Sequence, residues 1–451
     1  MTEREPVAAF SGTTAAAVVV ANMIGTGVFT SLGFQLVDIQ SGFVLLMLWV
    51  VGGVTALCGA LTYAELGAAL PRSGGEYNFL SQIYHPAAGF VSGWVSATIG
   101  FAAPVALAAI TFGSYLSSVY PALDPTWLAC GLVLALTAVH GSTRRNSGGV
   151  QRWFTVLKIA LIVAFCGLAW LLVREAQPVR FLPTTADAGP LFSSAFAVSL
   201  IYVNYAYTGW NAATYLTSEL EDPERNLPRV LGLGTALVMA LYVALNFSFL
   251  LVAPQEEMVG KVEVGYVAAR HVFGEPGAAV MGTVLALLLV STVSAMTLAG
   301  PRVLQVIGQD FRAFRVLART NRHGLPAVAV AVQSLLALAF IVTASFESIL
   351  VFAGFTLGLN SFLAVAGVFV LRWRRPELPR PYRTFAYPLP PLVYLALTGW
   401  TLTYLLRQRP VEAGLGLAIV ATGLLFYAVT RRLGRDPGPI PPVPEPSAPA
   451  P

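Results

Sequence analysis

Twelve stretches of about 18 or more largely apolar residues run through this chain, each long enough to cross a hydrocarbon layer about 30 Å thick as a helix. Inside such a layer the chain itself must satisfy every backbone amide and carbonyl, which leaves helices as the spanning element for segments of this length. Their approximate limits are 13–38, 42–67, 86–118, 125–141, 151–173, 190–215, 228–252, 275–304, 326–344, 348–371, 388–406 and 411–430. Only 11% of the 451 residues are charged and 56% are hydrophobic, whereas ordinary soluble domains carry about 25% charged residues. The expected fold class is therefore an all-α integral membrane protein with twelve transmembrane helices. A short polar leader without a small-residue cleavage site precedes the first segment, which reads as an anchor rather than a removed signal peptide.

Basic residues set the orientation. With the N-terminus inside, twenty arginines, from Arg4 and Arg72 to Arg432 and Arg435, fall on the cytoplasmic side. Arg174, Arg180, Lys261, Arg270, Arg407 and Arg409 fall on the other, and Lys158 lies within the fifth segment. Both termini are thus expected in the cytoplasm, with the protein in the plasma membrane. The net charge of +5 follows from that bias and implies no nucleic-acid partner. Residues 1–12 form a short N-terminal segment, and the proline-rich stretch 434–451 is expected to be a disordered tail. Cys58, Cys130 and Cys166 lie in apolar segments without metal-type spacing and read as small hydrophobes. No nucleophile–base pair, metal cluster or phosphate loop is found, which argues against an enzyme and against a cofactor.

Two of the twelve segments are interrupted. Asn22-Met23-Ile24-Gly25-Thr26-Gly27 breaks the first, and Thr208-Gly209-Trp210-Asn211 breaks the sixth. Backbone freed at membrane depth is tolerated where it lines a cavity, and paired breaks in two halves of a chain point to a transport site. Segments one to five (13–174) and six to ten (190–371) overlay as two five-helix sets. Five is odd, so the second set enters from the opposite side, as an inverted repeat. Segments eleven and twelve (388–430) lie outside it and show no polar interior residue that suggests a direct role. Amides near Thr26 and Gly27 open a half-helix whose positive end favours a carboxylate, and carbonyls before the break and in segment six favour an ammonium. One ligand with both charges is an α-amino acid. The alternative is that Gly25 and Gly27 only permit close helix packing.

Three stretches carry a family resemblance. They are Ile24-Gly25-Thr26-Gly27-Val28-Phe29, then Tyr63-Ala64-Glu65-Leu66 through Pro71 to Tyr77, then Tyr207-Thr208-Gly209-Trp210-Asn211 continuing from Glu219 to Arg229. Over roughly residues 8 to 432 the chain resembles the amino acid–polyamine–organocation superfamily of permeases, in its bacterial amino acid permease and L-type branches. The resemblance implies a LeuT-type fold with helices 1 and 6 broken. It also implies that the substrate carboxylate meets Thr26 and the main chain of Gly25 and Gly27. The amino group would meet carbonyls of Met23 or Ile24 and of Tyr205 and Thr208, beside Gly209. Tyr205 falls where relatives place an aromatic lid; its alternative is a packing aromatic.

Lys158 is one of two lysines and lies about 12 Å into the fifth helix at 1.5 Å per residue. It reads either as a snorkelling anchor or as an inward-pointing ammonium near the first break, where the resemblance implies a stand-in for a bound sodium ion. The loops 71–77 and 219–229 mix glycine, acid and arginine and suit a hinged gate closed by ion pairs, or are ordinary solvated loops. Glu65 reads as part of that network or as a cap.

Segments three, six, eight and ten hold no interior acid, and no further base faces the breaks, so neutral L-amino acids are the expected substrates. The loop Tyr120-Pro121-Ala122-Leu123-Asp124-Pro125 lacks the cysteine that heteromeric L-type members use to reach a heavy chain, which implies a protein without that partner. The expected activity is secondary transport by alternating access, sodium-independent, as proton symporter or exchanger. A polyamine or organic-cation carrier and an amino acid sensor without flux are the alternatives.

Overall fold

A computed structural model of the protein describes residues 11–72, 74–142, 148–173, 175–310, 312–321 and 325–432. The proline-rich stretch 434–451 and most of the N-terminal segment lie outside the described residues. The described residues contain seventeen α-helices and no strand.

The first interrupted segment is α1 (Gly12–Met23) and α2 (Gly27–Gln35), followed by α3 (Gly42–Ala69) and a short α4 (Glu76–Ile83). The third segment is α5 (Pro86–Val95), a π turn (Ser96–Gly100) and α6 (Ala102–Val119); α7 (Pro125–Ser142) and α8 (Gly148–Leu172) complete the first half. Then come α9 (Ala188–Leu191), α10 (Ser194–Ala206), a 3₁₀ segment (Ala212–Glu219), α11 (Pro223–Val252) and a one-turn α12 (Gln255–Met258). The chain ends in α13 (Val264–Asp310), α14 (Ala327–Thr343), α15 (Phe346–Arg374), α16 (Leu389–Gln408) and α17 (Pro410–Arg432).

Nine of these spans are long and apolar enough to cross a membrane alone, and the pair 185–191 and 194–206, bent by 67°, makes a tenth. The two shorter apolar helices α7 and α14 fall on the fourth and ninth expected segments. Local chemistry explains the boundaries. Ser11, Ser41, Ser193 and Ser345 each cap a helix through the side-chain oxygen, satisfying an otherwise orphaned amide. Pro104 has no amide to give the Gly100 carbonyl four residues back, and the third span widens into its π turn there. Within α13, Gly274 has φ +72° and divides the membrane helix from a preceding helical piece.

The core is apolar and continuous across α1, α3, α10, α11 and α13, with α3 packed on α11, α6 on α13 and α2 on α10. Two ion-paired clusters sit at opposite ends of α15. At its C-terminal end, the fully buried Glu65 carboxylate accepts two hydrogen bonds from Arg372, at 2.8 and 2.7 Å. The amide and hydroxyl of Thr384 also donate to it, each at 2.7 Å. Glu65 is thus tied to the α15–α16 connection, and no ion pair among the described residues links it to loops 71–77 or 219–229. At the N-terminal end of α15, Glu347 accepts from Tyr202 at 2.7 Å and pairs with Arg409, while Phe34 stacks on Phe346. Between α12 and α13, Glu257 is bonded by His271 and Arg270, which hold its carboxyl below the usual range.

Candidate functional site

The two breaks meet. α1 stops at Met23 because Gly25 turns its amide back onto the Met23 carbonyl at 2.8 Å, and the chain re-enters a helix only at Gly27. A Cβ at Gly27 would lie 2.5 Å from Ala206 Cα, so glycine lets the start of α2 touch the end of α10. At the second break Gly209 has φ +98°, and a Cβ there would lie 2.8 Å from the Asn22 carbonyl carbon. Both close approaches are backbone to backbone, which only glycine permits.

The amides of Thr26, Gly27 and Val28 take no acceptor among the described residues, and the Thr26 hydroxyl likewise has no partner there. The start of α2 therefore presents donors and the positive end of a helix, the arrangement expected of a carboxylate site. Carbonyls line the other side, several already engaged. Ile24 O accepts from Lys158 Nζ at 3.0 Å. Met23 O accepts from the Gly25 amide and from the Tyr242 hydroxyl at 2.5 Å. Tyr205 O accepts from both the amide and the hydroxyl of Thr208.

Lys158 is buried, 4% exposed, and points inward. Its ammonium reaches the Ile24 carbonyl and, at 2.9 Å, the Thr292 hydroxyl of α13. It does not snorkel. A cation at the C-terminal end of α1 complements that helix's dipole and joins α1, α8 and α13 at one point. Tyr242 on α11 was not anticipated from sequence. Its hydroxyl reaches Met23 O and also Ala206 O at 3.2 Å, one carbonyl from each broken helix. An isolated tyrosine in an apolar run carries no signal of that role.

Tyr205 and Thr208 face a cavity of about 50 Å³ between α3, α10, α15 and α16. Its lining includes Thr55, Asn204, Ser361, Tyr394, Thr398 and Thr401 and contains no Asp, Glu, Lys, Arg or His. The eleventh segment thus does present polar residues inward: Thr398 and Thr401 are buried, and the Thr401 hydroxyl has no partner among the described residues. A threonine in an apolar run is easily passed over because a helix can absorb its hydroxyl locally.

Loop 71–77 leads into a buried acid, and Ser73 and the Glu219 side chain lie outside the described residues. Glu76, at the start of α4, is buried and bonded by Tyr63, Asn211 and Tyr215. No ion pair joins loops 71–77 and 219–229 among the described residues.

Comparison with known proteins places this architecture. A family model described as "Amino acid permease" matches residues 10–429. The mouse large neutral amino acids transporter small subunit 2 is 30% identical over 435 residues, covering 92% of this chain and 79% of that protein. Human b(0,+)-type amino acid transporter 1 is 27% identical over 419 residues, with coverages of 91% and 85%. Mouse Asc-type amino acid transporter 1 is 28% identical over 436, with 92% and 79%. A match spanning nearly the whole chain, on a helical membrane scaffold whose first and sixth spans break against each other, makes this protein a member of the amino acid permease family.

Proposed function

We propose that the protein is a secondary transporter of neutral L-amino acids that works by alternating access, without sodium, as a proton symporter or an exchanger. The observation that carries this reading is the contact of the Lys158 ammonium with the Ile24 carbonyl: the protein's own cation sits at the break, where sodium would otherwise be held. The ligand's carboxylate is assigned to Thr26 and the amides that open α2, with Gly25 and Gly27 allowing close approach. Its ammonium is assigned to the carbonyl side, drawn from Met23, Ile24, Tyr205 and Thr208 beside Gly209, where an arriving donor competes with the internal bonds already made. A neutral side chain suits the uncharged cavity beside Tyr205 and Thr208, since a charged one would be buried there unpaired. That cavity also disfavours a polyamine. The relatives named as amino acid transporters support that substrate class, and the large neutral amino acids transporter supports a neutral one.

We read residues 13–174 and 190–371 as the inverted repeats and 388–430 as an added helical pair. Both termini are placed in the cytoplasm and the protein in the plasma membrane, from the arginine bias. One relative is named a small subunit; this chain has no cysteine between Tyr120 and Pro125, which supports a protein that works without a disulfide-linked partner.

The test is uptake of radiolabelled neutral amino acids into proteoliposomes, empty with an inward proton gradient or preloaded with unlabelled amino acid, in sodium and in choline. Accumulation independent of sodium in either arm supports the proposal, and the arm that works separates symport from exchange. Binding without flux in both arms would favour a sensor and sink it. In the same vesicles Thr26→Ala is expected to raise KM about tenfold, the loss of one hydrogen bond to a charged group worth about 1.5 kcal/mol. An unchanged KM would overturn the carboxylate assignment.

A further inference from the structure

The second break is fastened at its far end by a group that transport chemistry alone does not call for. Glu76 is 3% exposed, and its carboxylate accepts from the Asn211 amide at 2.5 Å, the Tyr215 hydroxyl at 2.5 Å and the Tyr63 hydroxyl at 3.0 Å. No ion pair among the described residues involves it. A buried carboxylate without a cation is costly unless neutral donors satisfy it, and here the donors come from three places. Tyr63 is on α3, Asn211 lies two residues beyond Gly209 in the break, and Tyr215 is on the 3₁₀ segment that follows. The acid itself belongs to α4, which packs on α5 and α15. The approach is close because Gly75, with φ +52°, sits directly under the Tyr215 ring, where a Cβ would lie 2.6 Å from a ring carbon.

We infer that Glu76 is a positioning residue of the transport cycle: its carboxylate latches the segment after the second break onto α4, so that the break and the 3₁₀ segment after it release together. The inference rests on the transporter reading for its purpose, and on the geometry alone for the latch. Any movement of residues 211–219 away from α4 must break two hydrogen bonds to one carboxylate together, those of Asn211 and Tyr215, while Tyr63 on α3 keeps its own. Ligand contact near Thr208 and Gly209 reaches Glu76 through the short stretch ending at Asn211.

The test uses the full-length protein in nanodiscs with Glu76→Gln and Glu76→Asp. Glutamine is nearly the same shape but removes the charge, and its NH₂ either faces the Asn211 amide, donor against donor, or forces the Tyr215 hydroxyl to turn from donor to acceptor. In hydrogen–deuterium exchange without substrate, peptides covering 212–219 should exchange at least about tenfold faster in Glu76→Gln than in the parent, while peptides covering 102–119 stay within about twofold. Glu76→Asp, which keeps the charge, should fall between. Unchanged exchange at 212–219, or an equal rise at 102–119, would overturn the latch. In proteoliposomes Glu76→Gln should lower the maximal rate about tenfold with KM within about twofold; a raised KM at full maximal rate would overturn it too. If the parent moves no amino acid, the transporter reading fails, and the exchange comparison still decides the latch.

Discussion

A Lys158→Ala variant is expected to take up amino acid at least about tenfold more slowly than the parent. The ammonium is buried and bonded to the Ile24 carbonyl and the Thr292 hydroxyl, so alanine removes both bonds and leaves a cavity where the charge was. A hydrogen bond to a charged group contributes about 1.5–3 kcal/mol, and each 1.36 kcal/mol is a factor of ten. The end of α1 also loses the cation that faces its negative pole. The measurement is initial uptake per reconstituted protein, with a thermal transition on the same sample. A variant that unfolds below the assay temperature gives a structural role; a folded variant with lost uptake gives a transport role. Uptake equal to the parent's would remove Lys158 from the mechanism.

A Gly209→Ala variant is expected to lose both transport and stability. Two independent penalties coincide there. The backbone at φ +98° is one that side chains rarely adopt, and the added methyl would sit 2.8 Å from the Asn22 main chain. Strain of this kind costs of order 1–3 kcal/mol, and overpacking a close contact typically another 1–3 kcal/mol. Gly25→Ala is the instructive contrast. Its nearest neighbour would be the Met23 carbonyl at 3.9 Å, so the fold accommodates it, and any loss falls on ligand approach. Thermal unfolding should therefore drop for Gly209→Ala and hold for Gly25→Ala, while uptake falls in both. Equal stability of the two would show that the breaks are not packed as described.

The spans were legible because the bilayer leaves so few solutions: an apolar run of sufficient length can only be a helix, and the glycines at 25, 27 and 209 marked the exceptions. The kink at Gly274 even falls at the expected start of the eighth span. Lys158 was legible as one of two lysines in an apolar run. What stayed hidden were contacts that depend on which way a side chain turns. Tyr242 looks like any aromatic in a membrane helix until the third dimension sets it over two carbonyls. Thr398 and Thr401 pass as filler because hydroxyls weigh little in an apolar run. Glu65 and Glu76 carried a readable charge, but their partners lie far along the chain at Arg372, Thr384, Asn211 and Tyr215, distances that sequence adjacency cannot report.

The Tyr242 hydroxyl carries one hydrogen and faces two acceptors, Met23 at 2.5 Å and Ala206 at 3.2 Å. A phenol donates once. Turned to Met23, that hydrogen leaves the Ala206 carbonyl without it; turned to Ala206, it leaves Met23 O with the Gly25 amide alone. The ends of α1 and α10 therefore compete for one hydrogen. An ammonium group brings three hydrogens on one atom, enough to complete the count at the neighbouring carbonyls. On the proposed assignment, an arriving ammonium frees the phenol from that choice.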